Sequence, residues 1–436
     1  MDSIRILGGN QLRGQIKISG SKNSSLPIMI SSLLTDQELV LDNIPNLTDI
    51  ETLVLILKDL GADINYSIPK RKPSLSTTSD RIMHIKFKNI TSNQANYEHL
   101  SKMRAGFLVI GPLLARTGYA KVSMPGGCAI GTRPVDMHLM GLKKLGADIK
   151  IEKGYVIAEA KNGLVGNKIH LSKPSVGATQ NLIMAASLAK GESIILNASI
   201  EPETMDLIAC IRKMGVDIDV NGDNIQIQGT INIKGASYEI MSDRIEAGTY
   251  AIAGCMTGGR IELTNFDPHL LESPFEILRN IGCSIKLFNS RIVIEKVVKD
   301  FEPVKIITEP YPGFPTDLQA QFMALLTQAS GKSIINERIF ENRFMHVQEL
   351  VRMGAKINLD GDKATIIGKT ELIGAPVMAT DLRASVSLVL AALSAKGETI
   401  INRVYHLDRG FEDLEKKILN CGGIIERIQE NKYEVI

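Results

Sequence analysis

The chain repeats itself. A helical run that ends at glycine and passes at once into a short strand recurs six times: LKDLGADI (57–64), LKKLGADI (142–149), IRKMGVDI (211–218), LRNIGCSI (278–285), LVRMGAKI (350–357) and, degraded, ILNCGGII (418–425). A glycine placed directly after the last helical residue can adopt the left-handed conformation that closes a helix, where a Cβ would be penalised. A second phrase precedes each copy and consists of a small-residue helix, a turn and a β-branched strand. It reads LLTDQELVLDN, ARTGYAKVSMP, LAKGESIILNA, CMTGGRIELTN, QASGKSIINER and SAKGETIINRV. From its turn residue (Asp36, Gly118, Gly191, Gly258, Gly331, Gly397) to the glycine of the first phrase is 23 to 28 residues in every copy. Spacing this regular marks one α/β unit present six times.

The helix of the second phrase, as in ASVSLVLAALSA (384–395) or NLIMAASLA (181–189), is apolar nearly all round. Such a helix belongs inside a domain with strands and other helices covering it. A chain of 436 residues exceeds one ordinary core. Three units in each of two α/β lobes, with buried helices and outer sheets, is the expected architecture, and the lobe break falls within 229–243. One long solenoid is the alternative, but solenoid units are usually more uniform in length.

With no Trp and 5% aromatic residues, the core must be filled by Ile, Leu, Val, Ala and Met, and a surface that stacks many bases is disfavoured. The net charge of +2, from 50 Lys+Arg and 48 Asp+Glu, carries no polyelectrolyte signature, so nucleic acid is not an expected partner, although a local basic cleft is compatible with it. The N-terminal MDSIRILGGNQLRG lacks the pattern of a signal peptide, and the longest apolar run, around Ala105–Ala115, is shorter than the roughly 18 residues of a membrane span. A cytoplasmic location is expected. The five cysteines (128, 210, 255, 283, 421) are odd in number, widely spread and without a C-x-x-C pair, which argues for free thiols in a reducing compartment.

Four stretches carry candidate chemistry. In MPGGCAIGTRPVDMH (124–138), Cys128 is flanked by glycines and followed by Arg133. A loop thiol near a cation gains thiolate character and can serve as acid or nucleophile; a packed loop cysteine is the alternative. Ser21-Lys22-Asn23 stands at the mouth of the first small-residue helix, a setting for an anion or simply for an exposed lysine. Arg104, Arg244 and Arg383 open the small-residue helices of their units, and Arg343 and Arg409 follow the next strand. Together they predict a guanidinium-rich cleft suited to phosphate and carboxylate, although Asp243-Arg244 and Asp408-Arg409 also read as caps. In YPGFPTDLQAQ (311–321), Asp317 is either an N-cap signal or a carboxylate available as a base. There is no P-loop, no dinucleotide fingerprint and no clustered metal site, and His138 and His346 read as turn stabilisers.

The whole chain resembles the UDP-N-acetylglucosamine 1-carboxyvinyltransferase family. The resemblance rests on SKNSSLP, KMRAG with GPLLAR, MPGGCAIGTRPVDMH, KPSVGATQN, SDRIEAGTY, YPGFPTDLQAQ, FENRFMHVQEL, DLRASVSLVLAAL and HLDRGFE, in family order. It implies a two-lobed inside-out α/β barrel, with 21–242 as the N-terminal lobe carrying Cys128 and 1–20 with 243–436 as the C-terminal lobe carrying Asp317. It implies transfer of the enolpyruvyl group of phosphoenolpyruvate to the 3'-hydroxyl of UDP-N-acetylglucosamine, with phosphate released and neither metal nor cofactor involved. In that family's pattern Cys128 is the proton donor to the phosphoenolpyruvate methylene and Asp317 sits near the sugar 3'-hydroxyl. Lys22, Asn23, Arg383 and Arg409 match the phosphoenolpyruvate site. Arg104, Arg133, Pro134, Val135, Asp136, Met137, Lys173, Pro174, Ser175 and Val176, with Asp317 and the backbone of Ile339, match the UDP-sugar contacts.

Ser24 and Ser25 replace two alanines usual in the family, and Ser67–Asp80 looks like an insertion. The related transferase acting on shikimate 3-phosphate shares the fold, but its pattern lacks the cysteine loop. A non-catalytic UDP-sugar-binding regulator is the other alternative. Oligomeric state is not specified by the sequence, with a monomer favoured.

Overall fold

The computed structural model describes residues 2–68, 81–125 and 134–429. Cys128, Arg133 and most of the insertion, 69–80, lie outside the described residues. The chain forms two compact units, one of 20–125 with 134–241 and the other of 2–19 with 242–429.

All six repeat glycines, Gly61, Gly146, Gly215, Gly282, Gly354 and Gly422, have positive φ, between +86° and +110°. Each follows a helix and redirects the chain into a strand, as the repeat predicts. Among the described residues there are six sheets of four strands. Every sheet has the same plan: an outer strand parallel to its neighbour, then two antiparallel pairings. The sheet Lys168–His170, Glu192–Leu196, Asn224–Gln228 and Asp217–Asn221 is representative.

The outer parallel strand is always donated by the preceding repeat, and in each unit the donations close a ring. In the first, Gln94–Ala95 adds to Tyr119–Ser123, Lys168–His170 adds to Glu192–Leu196, and Ala236–Glu239 returns to Leu39–Asp42. In the second, Lys305–Ile307 adds to Lys332–Asn336 and Pro376–Met378 adds to Glu398–Asn402. The N-terminal segment supplies the remaining strands. Ser3–Leu7 fits antiparallel between Glu398–Asn402 and Ile424–Ile428, and Arg13–Lys17 closes the ring on Arg260–Thr264. A linear solenoid has no such closure.

The small-residue helices lie inside. Helix Leu382–Ser394 buries every residue but the last, and it packs with Arg244–Met256 and Gln319–Leu326 in one core. Lys22–Ser31, Ile110–Thr117 and Val176–Ser187 belong to the core of the other unit. Their low polarity leaves them no solvent face, so sheets and outer helices cover them. The N-terminal segment is fastened at Ser19. Its amide donates to Glu246 Oε2 (2.8 Å) and its hydroxyl accepts from Lys417 Nζ (2.7 Å), which is paired with Glu246 Oε1 at 2.5 Å.

Candidate active site

In the unit 242–429, Asp317 lies in the short 3-10 turn Thr316–Leu318 that opens Gln319–Leu326. It does not act as the N-cap that its sequence context allows. Its Oδ1 accepts from Arg343 Nη2 at 2.7 Å and its Oδ2 from Arg383 Nη2 at 2.8 Å. Both arginine side chains are about 5% exposed or less, whereas Asp317 is 27% exposed. Two buried guanidiniums thus share one carboxylate that still reaches the surface. A planar guanidinium has five donors, so each retains donors for a second anion.

Arg383 is the second residue of Leu382–Ser394, whose N-cap is Asp381, accepting from the amides of Arg383 (2.9 Å) and Ala384 (3.1 Å). His346, fully buried, is held down to a pKa of about 4 chiefly by desolvation, with Asp381 opposing and Arg343 reinforcing the shift. His406 is likewise lowered by burial first and then by Arg409, which ends the 3-10 segment Val404–Arg409. Asp317, Arg343, Arg383, Asp381 and Arg409 therefore belong to one charged group. The cap reading holds for Asp243, which accepts from the amides of Ile245 and Glu246 at 2.8 and 2.9 Å. It fails for Asp408, whose carboxylate pairs with Arg427.

Ile339 sits on the loop after Lys332–Asn336, and its amide donates to Glu337 Oε1 at 2.8 Å. Any backbone contact from Ile339 to a ligand is therefore through its carbonyl oxygen. Arg244 begins Arg244–Met256 and lies 5.8 Å from the ring centroid of Tyr311, beside a cavity of about 210 Å³ lined also by His269, Pro312 and Pro315.

In the other unit, Ser21 caps Lys22–Ser31, its hydroxyl accepting from the Ser24 amide at 3.3 Å. Lys22 Nζ pairs with Asp49 Oδ2 at 3.3 Å, and both side chains are buried. Asn23 beside it is half-buried. The two serines that depart from the family have partners: Ser24 Oγ donates to Asp206, and Ser25 Oγ to the Ser21 carbonyl at 2.7 Å. Asp206 also accepts from Tyr238 Oη and the Met241 amide.

His138 is the point where three of the candidate segments meet. It lies on Asp136–Lys144, whose N-terminus carries Pro134, Val135, Asp136 and Met137; Pro134 and Asp136 are exposed and Val135 and Met137 buried. Its ring meets Phe107 of the Arg104–Val109 segment edge-on at 5.5 Å, and Asn181 of Val176–Ser187 donates its amide to Nδ1 at 3.0 Å. A Cβ on Gly177 would touch the same ring at 3.3 Å. Ser175 caps that helix, and Lys173, Pro174 and Val176 are exposed beside it. One imidazole thus joins the segments bearing Arg104, Pro134–Met137 and Lys173–Val176. Burial first, and then Arg104, press its pKa down to about 3. The helix Lys22–Ser31 packs on Arg104–Val109 as well.

His138, Asp49 and Glu337 were not visible as site residues in the sequence. Glu337 carried a weak signal, since it stands where three of the six units have asparagine. Among the described residues no group of three or more His, Cys, Asp or Glu is placed to hold a metal ion, and no helix is long and apolar enough to cross a membrane.

Residues 6–418 match the family model described as EPSP synthase (3-phosphoshikimate 1-carboxyvinyltransferase). Among solved structures, the enolpyruvyl transferase NikO of Streptomyces tendae superposes with a TM-score of 0.87 at 21% identity, covering 98% of this chain and 99% of that one. The EPSP synthase of Acinetobacter baumannii gives 0.74 at 18% identity, covering 98% and 100%. These likenesses establish the fold. Closer in sequence are UDP-N-acetylglucosamine 1-carboxyvinyltransferase 1 of Mesorhizobium japonicum, 55% identical, and the enzyme of that name from Methylocella silvestris, 54% identical, each over 98% of this chain and 100% of the relative. With identity at that level along both chains, this protein belongs to the UDP-N-acetylglucosamine 1-carboxyvinyltransferase family of transferases.

Proposed function

We propose that the chain transfers the enolpyruvyl group of phosphoenolpyruvate to the 3'-hydroxyl of UDP-N-acetylglucosamine and releases phosphate, the first committed step of peptidoglycan synthesis. Its setting is the cytoplasm, it acts as a monomer, and its product serves cell-wall growth, cell shape and division. The observation that carries the reading is the 55% identity, end to end, to a relative bearing that activity in its name.

The residues support a division of labour. Phosphoenolpyruvate has a carboxylate and a phosphate, and Lys22, Asn23, Arg383 and Arg409 supply the cations and amide to hold them. Arg104, Arg133–Met137, Lys173–Val176 and the Ile339 carbonyl hold the UDP-sugar. Cys128 gives its proton to the methylene carbon, which leaves an oxocarbenium-like centre at the neighbouring carbon. The 3'-hydroxyl attacks that centre while its proton passes to Asp317. The Cys128 thiolate then takes back a proton from the new methyl group, which re-forms the double bond as the C–O bond to phosphate breaks, and the departing phosphate carries off the proton held by Asp317. The ion pairs of Asp317 with Arg343 and Arg383 fix the base in place and tie it to an arginine that also holds the anionic substrate. Exclusion of water protects the cationic centre from hydrolysis.

Phosphate release from phosphoenolpyruvate, measured with UDP-N-acetylglucosamine and separately with shikimate 3-phosphate, tests the reading. Release is expected with the UDP-sugar alone. Release with shikimate 3-phosphate would assign the chain to the other transferase, and none with either would leave a sugar-binding protein.

A further inference from the structure

We infer that Glu337 is a positioning residue for this transfer, joining the turn that carries the base Asp317 to the loop that carries Ile339; the inference rests on the enolpyruvyl-transfer reading. The repeat supplies a comparison, because the residue after the corresponding strand is asparagine in three units and Met124, Glu337 or Arg403 in the others. In three units the residue that follows the central parallel strand is an asparagine with positive φ: Asn43, Asn197 and Asn265. Each donates its side-chain amide to the carbonyl just past the donated outer strand, at Ile240 (2.8 Å), Leu171 (2.9 Å) and Ile18 (3.0 Å). The asparagine is a clip between adjacent repeats. In the unit containing Asp317, the equivalent residue is Glu337 and the equivalent end of the outer strand is Thr308.

Here donor and acceptor are exchanged. The Thr308 hydroxyl donates to Glu337 Oε1 at 2.9 Å, so the clip survives with the carboxylate as acceptor. A carboxylate has two acceptor oxygens where an amide has one, and Glu337 uses both. Oε1 also accepts from the amides of Ile339 (2.8 Å) and Phe340 (3.1 Å), and Oε2 accepts from Thr316 Oγ1 at 2.8 Å. Glu337 is 3% exposed, and a buried carboxylate with four donors has one geometry open to it. Thr316 precedes Asp317, and Ile339 lies on the loop leading to Arg343, the partner of Asp317. One side chain therefore sets the base and the sugar loop together. A clip alone would need neither Thr316 nor the two loop amides.

Steady-state kinetics of Thr316→Val, Glu337→Ala and Glu337→Gln, with a thermal melt of each, test this against wild type assayed first with both substrates. Thr316→Val cuts only the link to the Asp317 turn, so kcat is expected to fall about tenfold with KM for UDP-N-acetylglucosamine within about twofold. Glu337→Ala releases the sugar loop as well, so KM for the UDP-sugar rises in addition. Glu337→Gln keeps a carbonyl oxygen for the loop amides and an amide that the Thr316 hydroxyl can turn to meet, so it recovers most of both parameters. Wild-type kcat and KM in Thr316→Val, or variants that melt earlier but turn over normally below their melting point, would overturn the inference and leave Glu337 a structural clip. Should Glu337→Ala not fold, Thr316→Val and Glu337→Gln decide alone. A wild type that releases no phosphate overturns the functional reading instead, and so the two failures are distinct.

Discussion

Asp317 and Arg383, separated by 66 residues of chain, meet at 2.8 Å through Oδ2 and Nη2. The arginine is buried and the carboxylate is not. Removing the carboxylate in Asp317→Ala therefore costs twice. With Asp317 in its proposed role as base, turnover should fall at least about 100-fold. Arg343 and Arg383 also lose an anionic partner, which destabilises the fold by about 1–3 kcal/mol. Because phosphate can substitute for the lost anion, it should raise Tm of the variant more than that of wild type. A variant with wild-type Tm and kcat would show that the pairing serves neither purpose.

The role proposed for Cys128 predicts thiol chemistry unlike that of the four described cysteines. Cys210, Cys255, Cys283 and Cys421 are buried. Desolvation pushes the Cys210 thiol up to about 12 and Cys421 up to about 11, and holds Cys255 well above its usual range. Since the thiolate is the reactive form, iodoacetamide at pH 7.5 should label native protein at Cys128 alone and abolish turnover. Cys128→Ala should be unlabelled and at least about 100-fold slower, Cys210→Ala active, and Cys128→Asp partly active because a carboxylic acid can donate the same proton. Peptide mass spectrometry after labelling checks the first point, and labelling at Cys210 with retained turnover would refute it.

The repeat glycines are not equivalent in what they tolerate. Gly61 (φ +110°) has Asn89 O and Thr91 Oγ1 2.8 Å from where a Cβ would lie, whereas nothing is within 4 Å of that point at Gly146 (φ +96°). Gly146→Ala should cost only the backbone strain, about 1–2 kcal/mol. Gly61→Ala adds overlap with backbone and should cost about 1–3 kcal/mol more. Urea denaturation of the two variants measures the difference, and equal losses would mean that strain alone matters.

Those glycines also show what was legible in advance. Helix closure is local, so LKDLG and its five relatives announce both the break and its backbone geometry. Strand donation is not local. Nothing in ASYE (236–239) names LVLD (39–42) as its partner, and SIRIL (3–7) does not reveal that it completes a sheet with residues some 400 positions away. Of the five arginines that the repeat singles out, Arg343 and Arg383 meet on one carboxylate, while Arg104 lies in the other unit; the residue binding Arg343 to Arg383 read in the sequence as either a helix cap or a base. His138 looked like a turn stabiliser. Its place among Phe107, Asn181 and Gly177 depends on packing between three helices, which no spacing rule encodes. Cys128 and Arg133 lie outside the described residues, and their roles rest on the family pattern.

The buried histidines predict how stability responds to acid. His138 and His346 have folded pKa values of about 3 and about 4, below the ordinary 6.5, mainly because burial disfavours the cation. Above pH 6.5 each is neutral in both states and the fold has its full stability. Below 6.5 the unfolded chain binds a proton that the native imidazole refuses, so stability falls with pH until the native pKa is reached. Between pH 8 and pH 5 each should cost about 2 kcal/mol. His138→Gln, read by urea denaturation across that range, should therefore lose about 2 kcal/mol less than wild type, whatever its absolute stability at pH 8. The kinetics should show no ionisation from His138 near pH 6, since Arg104 and the Asn181 amide both oppose a proton at that ring. A variant whose acid sensitivity matched wild type would mean that His138 takes up its proton in the native state, and the joint it forms between the Arg104, Pro134–Met137 and Lys173–Val176 segments would then be open to water.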